Sequence, residues 1–323
     1  MRRRLLCALA VLSLAGTLPT LRAQPARARL CIMADVSRSS PAHAGLMRGL
    51  VERGWDEGRN LDVEYVQPHE DAAQSEQLAR RLAQLQCNVL FTQGLPATLA
   101  AQAGAAQTPR VFVIGGDPVA LGLVATLQRP GGNATGHVSP AHEIAVRQLS
   151  LLRELAPGAK RVALVFQAGN ASTVLTVDSV ETAARPLGLA IRRLPLQRWQ
   201  DVEALPSALQ REPVDTLLVV SDRMTYEHRA EIVQMANRLR LPAVYGSRFF
   251  IEHGGLMSFG IDWPAMMVGS ADYVARVLGG ARPAELPVQQ SMRFEVIVNR
   301  RSARALGVTL PQSVLLQATE VVE

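Results

Sequence analysis

The sequence predicts an α/β protein built from two doubly wound parallel-sheet lobes. Three observations carry that class. The chain has 323 residues, too many for one small core and suited to two lobes of roughly 100 to 200 residues each. Short apolar runs alternate with helix-period segments through both halves, a rhythm that implies right-handed crossovers and parallel strands. Between the halves lies VFVIGGDPVALGLVATLQRPGGNATG, residues 111–136. Its opening strand, 111–114, breaks at Gly115, Gly116, Asp117 and Pro118. An apolar segment, 120–127, reads as a short helix, and Arg129 to Asn133 make a second break where glycine and asparagine permit sharp reversal.

Hydrophobic content of 48% with 19% charged residues is ordinary globular chemistry, so disorder is not expected. Residues 1–23 stand apart: Arg2, Arg3 and Arg4 precede an apolar run too short to span a bilayer comfortably, the pattern of a secretory signal peptide, with cleavage as late as residue 28. Cys7 lies too early to be a lipidated cysteine at such a site, so a soluble exported protein is expected. The formal charge of +6 falls to +2 once Arg2, Arg3, Arg4 and Arg22 are set aside. The remaining arginine pairs are scattered among acids, without an aromatic-interleaved basic stripe, which argues against nucleic acid as a partner. Cys31 and Cys87 both open apolar runs that could be neighbouring strands; a disulfide and two buried free thiols both fit.

The first strand is expected at 29–34, with 35–41 as its exit loop. Pro41 suits the first turn of a helix capped by Ser39 or Ser40. An alternating strand at 60–66, a helix at 74–85 and a buried strand at 88–91 follow. Residues 92–95 form its exit loop, and Pro96 opens an Ala-rich helix to about 106. The second half repeats the order. Helix 143–155 leads to strand 161–166 and loop 167–172; a helix to about 187, strand 189–194 and helix 202–209 come next. Strand 216–220 has an exit loop beginning Ser221-Asp222, then helix 228–239, strand 243–245 with loop 246–248, and strand 256–259. A helix over 266–278, a strand over 292–299 and a short helix near 303–306 bring the chain back to tie the lobes together.

Motifs with a stated mechanism are absent: no Gly-x-Ser-x-Gly, no Walker loop, no His-Glu-x-x-His and no Gly-x-Gly-x-x-Gly. His43, His69, His137, His142, His228 and His253 show no metal spacing, so no metal or cofactor is called for. Candidate contacts instead follow from the rule that open α/β sheets bind ligands beyond the carboxyl ends of their strands. Asp117 and Asp222 both follow buried strands and are either ligand contacts or helix and turn caps. Gln93, Gly94 and Thr98 sit where a strand hands over to a helix N-terminus, whose N–H groups suit an anion. Ser39 and Ser40, then Gln167, Asn170 and Ser172, then Ser221, Gly246 and Ser247 complete the candidate set on strand-end loops. Asn133-Ala134-Thr135 matches a glycosylation triplet and reads as turn chemistry.

One more pattern runs through the mature chain. Gly49, Leu50, Gly54, Trp55, Glu57, Gly58 and Asn60 form one signature, followed in order by GGDPVALGLVATLQRPGGNATG, LLRELAPGAKRVAL, EHGGLMSFG, RFEVIVN and ALGVTLPQSVL. In these segments the chain resembles the substrate-binding proteins of ABC importers, in the type I periplasmic-binding family that includes tryptophan- and tyrosine-binding members. The resemblance implies a three-segment hinge near 136–139, 260–264 and 285–289. It implies an N-terminal lobe of 29–138 plus 262–287 and a C-terminal lobe of 139–261 plus 288–323. It also implies that Asp222 takes a ligand ammonium. At Gly94-Leu95-Pro96-Ala97 the hydroxyl common in the family before the proline is replaced by Leu95, with Thr98 as the nearest substitute.

The expected activity is capture of a small polar solute, an amino acid or related molecule with aromatic ones included, in the interlobe cleft of a periplasmic monomer. Delivery to an inner-membrane permease and its ATPase would follow. Two alternatives stand beside it: a ligand sensor for a membrane receptor, and a periplasmic enzyme using Asp117 or Asp222.

Overall fold

The structure, a computed structural model, describes residues 27–68, 71–290 and 293–323. The leader at 1–23, Cys7, His69 and Met292, the first residue of the late strand, lie outside the described residues.

The first sheet has six strands in the order β11-β5-β4-β3-β1-β2, all neighbours parallel. In chain order it is built from β1 (Ala28–Ala34), α1 (Pro41–Val51), β2 (Leu61–Val66), α2 (Ala72–Gln84), β3 (Val89–Gln93), α3 (Leu95–Gly104), β4 (Arg110–Gly115) and β5 (Ala134–Ser139). β3 is buried along its whole length, its apolar run Val89 to Phe91 ending in Thr92 and Gln93, whereas edge strand β2 is mostly half-buried and its sequence alternates.

The second sheet follows: α4 (Ala141–Leu155), β6 (Arg161–Gln167), α5 (Ala171–Ala184), β7 (Ala190–Leu196), α6 (Gln200–Arg211), β8 (Thr216–Val219), α7 (Arg223–Glu227), α8 (Arg229–Arg238), β9 (Ala243–Tyr245) and β10 (Met257–Ile261). The chain then returns through α9 (Trp263–Leu278), β11 (Gln289–Gln290), β12 (Phe294–Asn299), α10 (Arg300–Leu306), α11 (Gln312–Gln317) and β13 (Glu320–Val322). The second sheet's order is β13-β12-β10-β9-β8-β6-β7, parallel except for the antiparallel pair β10 and β12. Both lobes are therefore doubly wound α/β units, and the first five strands of each sheet follow the same order.

Two features tie late sequence to the first sheet. α9 packs across α1, where Gly45 and Gly49 let the helices approach: a Cβ on Gly49 would lie 2.7 Å from that of Ala271. β11 pairs Gln289 with His137 and Gln290 with Val138. One large core under the first sheet joins Leu46 and Leu50 of α1 to Met267, Ala271 and Val274 of α9. Cys31 and Cys87 form a disulfide with Cα atoms 5.8 Å apart, inside a cluster of β1, α2, β3 and α3 side chains.

Several expected elements differ. Residues 118–133 form turns, not a helix: Gly122 has φ +67°, and Thr126 Oγ1 bonds both the N–H and the carbonyl of Arg129 to hold a loop. That loop still buries Leu123 and Val124. The helix expected at 228–239 is preceded by a separate turn of helix, α7, because the Asp222 side chain caps it. A 3₁₀ segment over Arg248–His253, α11 and β13 carry no clear period in the sequence.

Candidate functional site

Strand order decides where a site can form. In each sheet the chain reverses its winding between the first strand and its third: between β1 and β3 in one, between β6 and β8 in the other. Outside the carboxyl ends of such a pair a crevice opens, because the two following loops lead away in opposite directions. The two crevices face each other across a cavity of about 180 Å³. Its first wall is Asp35, Val36, Gln93, Gly94, Leu95 and 113–115; its second is Asn170, Ser172, Thr173, 220–223, Tyr226, Gly246, Ser247 and Phe249. Ser139, Ile261 and Trp263, where the chain passes between lobes, close the back with Gln148 of α4.

Asp35, directly after β1, leans over the end of β3. A Cβ built on Gly94 would lie 1.6 Å from Asp35 Oδ2, and Gly94 has φ +93°, so only glycine fits there. The carboxyl group thus stands at the N-terminal end of α3, whose N-cap Gly94 supplies no side-chain cap. The segment Gln93 to Thr98, expected to suit a ligand anion, therefore has the Asp35 carboxyl beside it. Asp35 Oδ1 is buried and has no hydrogen-bond partner among the described residues. Burial pushes this carboxyl up to about 7, with the Arg223 guanidinium pulling it down and Glu227 adding a smaller push upward.

Asp222 occupies the matching place in the second sheet, but its oxygens are engaged. Oδ1 accepts the N–H of Thr225 at 2.8 Å and Oδ2 the N–H of Gln167 at 2.7 Å. Thr225 returns a bond to the Asp222 N–H, completing a capping box. Burial pushes the carboxyl up to about 6, although the N–H groups of Thr225 and Gln167 favour the charged form. Asp222 lines the cavity as a fastener of β6 to α7. The ammonium role expected for it would have to share oxygens that already accept these N–H groups, whereas Asp35 Oδ1 accepts none among the described residues.

Of the other candidates, Gln93, Gly94, Asn170, Ser172, Ser221, Gly246 and Ser247 line the cavity. Ser247 Oγ and Gln148 Oε1 are buried there without a partner among the described residues. Ser172 Oγ donates to the Gly115 carbonyl at 3.0 Å, and Arg223 Nη1 to that of Pro68 at 3.4 Å, so the two walls touch directly.

Ser39, Ser40, Thr98, Asp117 and Gln167 do not line the cavity. Ser39 bonds Ser37, and Ser40 caps α1 through the N–H of His43. The Thr98 hydroxyl is held by Thr92 and by the Gly94 carbonyl. Asp117 is exposed and accepts the N–H groups of Val119 and Ala120, a turn role. Gln167 instead lines a smaller pocket with Trp199 and His228. Asp117 and Asp222 therefore do not share the cavity.

Asp35, Gln148, Arg223, Tyr226, Phe249 and Trp263 are among the lining side chains that the sequence reading passed over. The rule that selected Asp222, an acid directly after a buried strand, equally selects Asp35. No local signal marks the aromatic residues, which reach the cavity from helices and a 3₁₀ turn. Among the described residues no group of three or more His, Cys, Asp or Glu side chains could hold a metal ion, and no helix is long and apolar enough to cross a membrane.

Comparison with known proteins agrees with this architecture. The family described as ABC transporter substrate binding protein matches residues 32–322. A tyrosine-binding protein of Clostridioides difficile is 22% identical over 265 residues, covering 82% of this chain and 76% of that one. A conserved domain protein of Vibrio cholerae has a similar structure, with a TM-score of 0.82 and 27% identity over 91% of this chain and 99% of that one. An ABC domain from Streptococcus pneumonia in complex with L-Trp gives 0.81 and 23% over 91% and 100%. With a match spanning nearly the whole described chain, this protein belongs to the family of ABC transporter substrate binding proteins.

Proposed function

We propose that this protein is the periplasmic, monomeric solute-capturing component of an importer. It would hold an amino acid or related small polar solute between its lobes and hand it to a membrane permease driven by an ATPase. The observation that carries the reading is the cavity shared by two facing switch points, with unpartnered polar atoms of Asp35, Gln148 and Ser247 on its wall. Tyr226, Phe249 and Trp263 on the same wall suit an aromatic solute, and the named ligands of two relatives, tyrosine and L-Trp, are consistent with that class. The arrangement asks for no bond chemistry, since Asp222 is a cap and Asp117 lies elsewhere. Opening would bend the chain near Ser139, near Ile261 and Asp262, and after Gln290, where it passes from one sheet to the other. The basic and apolar N-terminal segment and the Cys31–Cys87 disulfide favour an oxidising compartment.

A thermal-shift screen of refolded, solute-stripped protein against amino acids tests the reading. A solute present at about a hundred times its dissociation constant adds ~2.7 kcal/mol to the folded state. A shift with an amino acid supports it; sugars or nucleobases alone producing the shift would move the ligand class.

A further inference from the structure

We propose that Arg229, which stands outside the cavity, positions Tyr226 on its wall and sets the electron density of that ring, so that the cleft prefers a solute carrying an electron-rich aromatic group. The inference rests on the reading that the cavity holds a small solute. Tyr226 and Phe249 line the cavity with their rings nearly perpendicular, at 83° and 5.4 Å between centroids. Arg229 is not a lining residue, yet its guanidinium carbon lies 4.6 Å from the centre of the Tyr226 ring. Its Nη1 also donates to the Tyr226 carbonyl at 2.8 Å, so one side chain holds both the ring and the backbone of Tyr226.

Arg229 is a poor choice for that place on local grounds. It opens α8, where the positive end of the helix dipole disfavours a cation. Its Nε is buried without an acceptor among the described residues, and the acids nearest in sequence, Glu227 and Glu231, face Arg223 and His228 instead. Closing the Tyr226 carbonyl near the end of α7 needs only a donor, which a glutamine would bring without these costs. What the guanidinium adds is a positive charge held against an aromatic face. That charge draws the π density of Tyr226 toward itself. It then attracts the negative face of a solute ring stacked on the other side, the more strongly the richer that ring is in electrons. Arg229 thus acts through Tyr226, as a positioning residue.

The test compares probe pairs that differ in ring electron density: phenylalanine with its pentafluoro derivative, and tryptophan with its ring-fluorinated form. Calorimetry gives each affinity for wild type, Arg229→Gln, Arg229→Lys and Tyr226→Leu. Fluorine also changes size and apolar surface, but alike for every variant, so the quantity read is each protein's preference for the unfluorinated partner. We expect that preference to be about fivefold greater in wild type than in Arg229→Gln. Arg229→Lys, which keeps the charge, should retain it. In Tyr226→Leu the preference should be low, and adding Arg229→Gln to that variant should leave it where it is.

An unchanged preference in a folded Arg229→Gln protein, loss of the preference in Arg229→Lys, or an Arg229→Gln effect that survives Tyr226→Leu would each overturn the assignment. So would binding of another amino acid when none of the aromatic probes binds. Each of those leaves solute capture standing. If neither the probes nor any other amino acid binds, the assignment and the amino-acid reading fall together.

Discussion

The Asp35 carboxylate lies over the Cα of Gly94, so that a Cβ at position 94 would come within 1.6 Å of Asp35 Oδ2. This pairing joins the ends of β1 and β3 at the point where the first sheet reverses its winding. Asp222 and the N–H of Gln167, 2.7 Å apart, make the corresponding link between β8 and β6 in the second sheet. In one lobe the carboxyl group has an oxygen with no partner among the described residues, and in the other both oxygens accept backbone N–H groups.

Gly94→Ala should be destabilising and should impair capture. It places a side chain at φ +93° and drives Asp35 from its position. The strained backbone alone costs about 1 to 3 kcal/mol. Urea denaturation would read the loss in stability, and the amino-acid thermal shift should shrink with it.

Asp35→Asn should make the solute-free protein more stable at pH 8. The folded-state pKa of Asp35 is raised from 3.8 to about 7, so its contribution is most favourable below pH 4 and is lost as pH rises to about 7. Above that, the buried charge carries a penalty on the order of 2 to 4 kcal/mol that asparagine avoids. Melting curves should show the variant ahead at pH 8, with the advantage shrinking toward pH 4. A variant less stable than wild type at both ends would contradict this.

Asp222→Ala should behave differently and lose stability. It removes a helix cap and leaves the Gln167 N–H of β6 without its acceptor, together about 2 to 3 kcal/mol. Chemical denaturation measures it. Asparagine, which retains an acceptor oxygen, should recover part of the loss.

His137 should make the stability of the first sheet depend on acid. Its ring is buried on β5, 3.2 Å from Ser270 Oγ, and burial lowers its pKa to about 4, against a hydrogen bond to Gln289 and the charge of Asp272. A depressed folded pKa gives stability that is present above pH 6.5 and lost as pH falls toward 4, about 3 kcal/mol in all. His137→Gln should flatten the pH dependence of the melting temperature across that window.

Reduction of the Cys31–Cys87 disulfide, which spans 56 residues, should cost about 4 kcal/mol by the loop-entropy relation. Equilibrium unfolding with and without reductant gives the difference. The first lobe should be the part that weakens, since both cysteines lie in its core.

Most strands and helices were legible, because a buried parallel strand such as β3 opens on an apolar run, Val89 to Phe91, and a capped helix such as α1 carries Ser40 and Pro41 at its start. The ends of strands, and hence the loops that could hold a site, followed from the same patterns. The family followed from motif order along the chain. Which loops meet did not: strand order is set by long-range pairing, and the sequence carries no local mark that places Asp35 over Gly94 or turns Asp117 outward. Whether a carboxylate is a cap or a free acceptor depends on backbone N–H groups that arrive from distant strands, as Gln167 does for Asp222. Composition and periodicity thus determined most of the elements, the two-lobed class and the exit loops, while tertiary structure alone decided which of those loops share a cavity and which acid keeps an oxygen free within it.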